Sequence, residues 1–288
     1  MSTTPESLRA VVIGAGTMGN GIAQTFAMAG HAVHLVDVSD EAVQRGKATI
    51  EKSLARFVKK GVYDEARAKA VGDQVRCSTD LEAAVSDADF VVEAVVERED
   101  VKKDVFRRVD AVAPQGAILA TNTSSIPITR LAAVTTRPDK FIGMHFMNPV
   151  PIMKLVEVIR GNRTSDATVQ RTIEVSEGLG KVVGVAQDYP GFVSNRILMP
   201  LINEAAFCVY EHLASNEDID KIIKLGMNHP MGPLTLADFV GIDVIVDVLD
   251  VLYQGFGDSK FRCCPLLRQM VAAGKLGRKS GEGFYKYD

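Results

Sequence analysis

The chain has 288 residues, 47% of them hydrophobic, more than one average domain and enough apolar material for two cores. Its formal charge of −3 gives no electrostatic reason to expect nucleic acid or an anionic membrane as partner. No apolar run approaches the roughly 20 residues that span a bilayer, and the opening Met1-Ser2-Thr3-Thr4-Pro5-Glu6 lacks the basic and apolar regions of a leader, so a cytoplasmic protein is expected. Cys77, Cys208, Cys263 and Cys264 match no zinc or redox spacing and read as reduced thiols in ordinary packing. The five histidines form no ligand cluster, so no metal site is expected.

The first element is an apolar strand, Val11-Val12-Ile13, running into Gly14-Ala15-Gly16-Thr17-Met18-Gly19 and then the helix-like run from Ile22 to Ala27. In such a turn the first glycine allows the tight bend, the second lets the backbone approach a pyrophosphate, and the third lets the helix lie close on the strand. The phosphates then meet a helix N-terminus, where free amides and the helix dipole favour negative charge. A second strand, Ala32-Val33-His34-Leu35-Val36, ends in Asp37. A carboxylate there accepts both hydroxyls of an adenosine ribose and repels a 2′-phosphate, which favours NAD over NADP.

A long helix follows from Glu41 to Lys60. Lys52, Arg56, Lys59 and Lys60 fall on one face of it. That face suits a polyphosphate, and from spacing alone a solvated helix surface is an equal reading. Strands recur at Gln74–Cys77 and Phe90–Val96, with a short helix from Asp80 to Val85 between them. After the amphipathic run Val101–Val112, the strand Ala117–Ala120 ends in Thr121-Asn122-Thr123-Ser124-Ser125. Ligands of open α/β sheets bind at the carboxyl ends of strands, which places Asn122 and Ser124 to meet one, though a plain polar turn has the same composition.

The strands Phe141–Phe146 and Lys154–Ile159 each carry one ionisable residue in apolar company, His145 and Glu157. A buried carboxylate is costly without a partner, and the short loop Met147–Met153, with two prolines, brings the strands near one another. A histidine held by a carboxylate has a fixed tautomer and a free nitrogen for proton transfer. By itself the pair is also compatible with a structural role.

A further strand, Lys181–Val185, leads to the turn cluster Asp188-Tyr189-Pro190-Gly191, where the composition shifts to helix. Gly191–Leu213, Ile219–Leu225, Leu234–Gln254 and Leu266–Ala273 show helical spacing, and the tail Gly283-Phe284-Tyr285 reads as extended. The expected architecture is α/β, an N-terminal Rossmann-type NAD-binding domain (1–187) followed by an all-α C-terminal substrate and dimerisation domain (188–288). The run Val240–Leu252 carries more apolar residues than one helix face needs, which predicts a homodimer through the helical domain.

Taken together, these residues resemble the 3-hydroxyacyl-CoA dehydrogenase family over nearly the whole chain. The resemblance rests on the glycine turn, Asn122-Thr123-Ser124-Ser125, His145-Phe146-Met147-Asn148-Pro149-Val150-Pro151, Asp188 through Arg196, Pro230-Met231-Gly232-Pro233 and Gly281-Glu282-Gly283-Phe284-Tyr285. It implies an NAD-dependent dehydrogenase that interconverts (S)-3-hydroxyacyl-CoA, with 3-hydroxybutyryl-CoA foremost, and 3-ketoacyl-CoA. It implies His145 as acid/base oriented by Glu157, with Ser124 and Asn195 bonding the substrate and Asn148 completing the pocket. It further implies that Gly14, Gly16, Thr17, Met18, Gly19, Asp37, Glu97, Lys102, Asn122, Ser124, Asn148 and Lys279 line the NAD site. Ser53 and Lys60 are implied as contacts for the coenzyme A moiety. Two other readings stay open on the residues: a β-hydroxyacid dehydrogenase acting on a free acid, and a non-catalytic NAD-binding protein of the same fold.

Overall fold

The computed structural model describes residues 7–287. These form two compact units that divide in sequence between Asp188 and Tyr189.

In the first unit, β1 (Arg9–Ile13), α1 (Thr17–Met28) and β2 (Ala32–Val36) make the opening βαβ. The next helix, α2 (Asp40–Lys59), is capped by the Ser39 hydroxyl, which accepts the Ala42 N–H. Its acidic residues Asp40 and Glu41 lie in the first turn and its basic residues Arg56 and Lys59 in the last, matching the helix dipole. It buries Val43, Gly46, Ile50 and Leu54, spaced three or four apart, and so turns the polar face outward. Next come α3 (Glu65–Asp73), β3 (Val75–Ser78), α4 (Leu81–Val85), β4 (Phe90–Glu93), α5 (Glu99–Val112), β5 (Ile118–Thr121) and α6 (Ile128–Ala132). The unit closes with β6 (Phe141–Phe146), β7 (Leu155–Arg160), α7 (Asp166–Gly178) and β8 (Val182–Gln187).

The eight strands form one sheet in the order β3-β2-β1-β4-β5-β6-β7-β8. All neighbours are parallel except β6 and β7, which the short loop joins as an antiparallel pair. β1 and β4 to β6 are buried almost throughout, as strands covered on both faces must be. The strand expected to run to Val96 stops at Glu93, and α3, α6 and α7 have no counterpart in the sequence-based elements.

The second unit contains α8 (Ser194–Tyr210), α9 (Asn216–Gly226), α10 (Pro233–Val240), α11 (Ile242–Phe256) and α12 (Pro265–Ala272). The single helix expected from Leu234 to Gln254 is therefore two. Gly241 takes φ 107°, a conformation that ends α10 and that side chains disfavour. Instead of a strand, the tail makes isolated bridges, Gly277 with Glu282 and Glu282 with Lys286. Its main chain is fastened by buried Asp238, whose carboxylate accepts the Phe284 and Tyr285 N–H groups at 2.8 and 2.9 Å and the Tyr287 hydroxyl at 3.0 Å. Among the described residues no helix is long and apolar enough to cross a membrane.

Candidate active site

The glycine turn has the shape that a dinucleotide needs. Gly14 has φ 101°, and a side chain on it would meet the Ala94 carbonyl oxygen at 2.5 Å. On Gly19 it would meet the Gly14 carbonyl oxygen at 1.7 Å, because α1 starts directly against β1. Gly16 differs, since nothing lies within 4 Å of the position a side chain would take. The turn is thus closed at its first and third glycines and open at its second, and Gly16 has no side chain to occupy the free amides of α1. Thr17 and Met18 begin that helix.

Asp37 at the end of β2 accepts the Ala15 N–H at 2.6 Å and the Val38 N–H at 2.7 Å, so it also braces the turn. It lines a cavity of 520 Å³ whose apolar wall includes Val36, Val38, Val95, Val101 and Val105. Arg108 lines the same cavity, a cation that linear reading missed because 71 residues separate it from Asp37; Glu82 holds it at 2.9 Å. A second cavity, of 530 Å³, lies above Gly16, Thr17 and Asn20 and is bounded by Asn148–Pro151 and by Arg45, Lys52, Ser53 and Arg56 of α2. The basic face of α2 is therefore turned in part toward the glycine turn. Lys60 is exposed at the C-terminal end of the same helix.

Antiparallel pairing sets His145 directly opposite Glu157. The imidazole Nδ1 lies 3.1 Å from Glu157 Oε2, and Nε2 lies 3.0 Å from Ser124 Oγ. Both ionisable residues are buried. An acceptor at Nδ1 selects the tautomer with its proton there and leaves the Nε2 lone pair directed at the serine. Asn122 fixes the same strand end, its Oδ1 accepting the Phe146 N–H at 2.9 Å.

Glu97 organises the loop that carries Ser124. One carboxylate oxygen accepts the Thr123 hydroxyl at 2.5 Å, the Ser124 N–H at 2.9 Å and the Ser125 N–H at 3.2 Å. Its other oxygen is 3.2 Å from the Lys102 ammonium. Burial pushes the Glu97 carboxyl up, but the Lys102 charge, the Thr123 hydroxyl and the Ser124 amide outweigh it and hold the group below the usual carboxylate range. Lys102 itself is 1% exposed and pairs at 2.6 Å with Glu93, which is wholly buried and also accepts the Thr121 hydroxyl and the Val95 N–H. Glu93 was not among the expected site residues. An acid inside an apolar strand, the signal that marks Glu157, was present there too.

The remaining two expected residues belong to the second unit. Asn195 lies in the first turn of α8, and Lys279 sits in a short turn where its ammonium is 2.6 Å from Asp243.

Comparison with known proteins gives matching results along the chain. Residues 9–189 match the family model for the 3-hydroxyacyl-CoA dehydrogenase NAD binding domain, and 191–287 match that for the 3-hydroxyacyl-CoA dehydrogenase C-terminal domain. The chain is 52% identical over 277 residues to 3-hydroxybutyryl-CoA dehydrogenase of Bradyrhizobium diazoefficiens, covering 96% of this chain and 94% of that one. It is 43% identical over 285 residues to the mitochondrial hydroxyacyl-coenzyme A dehydrogenase of Sus scrofa, covering 96% and 90%. The crystal structure of (S)-3-hydroxybutyryl-CoA dehydrogenase from Ralstonia eutropha superimposes with a TM-score of 0.94 at 50% identity, covering 98% of this chain and all of the other.

Proposed function

The chain belongs to the 3-hydroxyacyl-CoA dehydrogenase family, and on that premise we propose that it interconverts (S)-3-hydroxyacyl-CoA, 3-hydroxybutyryl-CoA in particular, and the 3-ketoacyl-CoA with NAD as hydride carrier. The observation that carries this reading is the chain of contacts from Ser124 through His145 to Glu157, at 3.0 and 3.1 Å, on the sheet that also bears an open glycine turn. When bound, NAD supplies the acceptor for the C3 hydride. The protein's own work is proton transfer and placement. In oxidation His145 Nε2 takes the hydroxyl proton, and in reduction it returns one to the ketone oxygen. Glu157 stabilises the imidazolium that forms in between, and the Ser124 hydroxyl bonds the same substrate oxygen.

Family resemblance further assigns Asn195 to the thioester end of the substrate and Asn148 to the pocket wall. It assigns Glu97, Lys102, Asn122 and Lys279 to the cofactor side and Ser53 and Lys60 to coenzyme A. The basic wall of Arg45, Lys52 and Arg56 beside Ser53 suits the phosphates of coenzyme A, which a free hydroxy acid lacks. The direct test is NADH consumption with acetoacetyl-CoA against free acetoacetate. The thioester should be the better substrate by a wide margin, and faster turnover of the free acid would overturn the reading.

NAD(H) is proposed in preference to NADP(H), because the 2′-phosphate would approach Asp37 while Arg108 is already paired with Glu82. Asp37→Ser should raise the efficiency with NADPH relative to NADH by about tenfold or more, the scale of repulsion between neighbouring charges near a surface. Equal use of both cofactors by the unaltered enzyme would refute this role for Asp37.

A homodimer through the helical unit is proposed as well. Ile197, Leu213, Ile222, Leu225 and Met227 are each at least 60% exposed there, and Phe239, Val244 and Tyr253 add to the exposed apolar surface. Light scattering at micromolar concentration should give twice the 31.1 kDa chain mass. A monomer alone would count against the dimer.

A further inference from the structure

Lys181, between α7 and β8, is buried, yet its ammonium meets main chain and no acid among the described hydrogen-bond partners. Nζ donates to the Val150 carbonyl at 2.5 Å and to the Met153 carbonyl at 2.8 Å. Burial pushes its pKa below the usual lysine range, which is the mark of an ion taken out of water with little electrostatic return. A methionine of similar length would fill the same space without that cost, so what the ammonium adds is the two bonds to the loop.

That loop joins β6, which carries His145, to β7, which carries Glu157. It closes on itself, the Ile152 and Met153 N–H groups both reaching the Pro149 carbonyl at 3.0 Å. On its other side Val150 is buried against α1, so closely that a side chain on Gly21 would meet the Val150 Cβ at 2.9 Å. Between these supports, Asn148–Pro151 form a wall of the cavity above Gly16, Thr17 and Asn20.

We propose that Lys181 is a positioning residue, whose ammonium holds the 147–153 loop against α1 and so keeps Asn148 and the end of the His145 strand in place beside the glycine turn. The inference rests on the proposed NAD-dependent activity. It is tested on the full-length protein with NADH alone as the probe, titrated by fluorescence or calorimetry, alongside kcat and KM for acetoacetyl-CoA and thermal melts. Wild-type protein that failed to bind NADH would remove the underlying reading, whereas the inference itself is decided by the variants.

Lys181→Met, assayed below its melting midpoint, should bind NADH about tenfold more weakly, as expected for lost charge-assisted bonds. Its kcat should fall by about 10–100-fold, the scale of a small misplacement near the chemistry, with KM for the thioester changing much less. Lys181→Arg keeps the charge and the donors and should recover most of both losses. NADH affinity and kcat at wild-type values in folded Lys181→Met, with only the melting temperature lowered, would make the lysine purely structural and overturn the proposal. Should the methionine variant not stay folded, Lys181→Gln, which retains an uncharged donor, is read by the same two quantities. Loss in both supports the proposal, and wild-type values in both overturn it.

Discussion

Replacing His145 by glutamine is expected to leave a folded protein that binds NADH normally and turns over about 10²–10⁴-fold more slowly, the usual worth of a positioned proton transfer. The expectation follows from the geometry on both sides of the ring. Nδ1 faces Glu157 at 3.1 Å and Nε2 faces Ser124 at 3.0 Å, so glutamine can preserve hydrogen bonding while removing the group that gains and loses a proton. Glu157→Gln should also slow turnover with cofactor affinity nearly intact, because an amide still accepts from Nδ1 but does not stabilise the imidazolium. Ketone reduction needs His145 protonated and alcohol oxidation needs it neutral, so the two directions should show opposite pH trends where proton transfer limits the rate. Turnover at saturating NADH, with melts on the same samples, is the measurement. A folded His145→Gln enzyme with near-normal turnover would rule out the proposed acid/base role.

Lys102→Met should cost about 3–5 kcal/mol of stability, the range for removing one partner of a buried ion pair. Glu93 would remain fully buried with its charge opposed only by a hydroxyl and an amide. Adding Glu93→Gln to the same protein should recover part of the loss, since the orphaned charge disappears with it. Lys102 also sustains Glu97, which is held in its ionised form more firmly folded than unfolded. A group with its folded pKa lowered contributes stability above the ordinary carboxylate range and loses it as pH falls through the folded value, so Lys102→Met should also flatten the acid limb of the stability profile. Urea unfolding at neutral and acidic pH tests both expectations. A loss under about 1 kcal/mol would mean that the pair behaves like a surface salt bridge.

How far the sequence reveals this protein depends on whether a feature is local. The glycine turn, its flanking strands and Asp37 lie within one short stretch, and the physical demands of each position are nearly independent of the rest of the chain. The strands of His145 and Glu157 were equally readable, because each places a single ionisable group in an apolar run and the loop between them is short. Other features depend on pairings across the fold. Arg108 meets the cavity of Asp37 only because β4 pairs with the far side of β1 from β2, which brings α5 back to that end of the sheet. Lys102 looks like a surface residue of an amphipathic helix until the sheet places Glu93 beneath it. The helix α3 buries only Val71, too little to produce a periodic signal, and the break at Gly241 lies in its dihedral angle, which composition does not specify.

The antiparallel joint between β6 and β7 also sets how this site tolerates change. Side chains alternate between the two faces of a strand, so a single residue added to or removed from the connecting segment would carry Glu157 to the face now held by Val156 and Val158. A two-residue change would restore the face but misplace the carboxylate by one full pleat relative to His145. Lys181 grips this segment by carbonyl oxygens, which every amino acid supplies. That grip is therefore indifferent to the side chains of the segment, of which Asn148 and Val150 answer to the cavity and to α1, but not to its length: the segment works as a spacer of fixed gauge, and insertions elsewhere on the surface should be tolerated far better than a single one there.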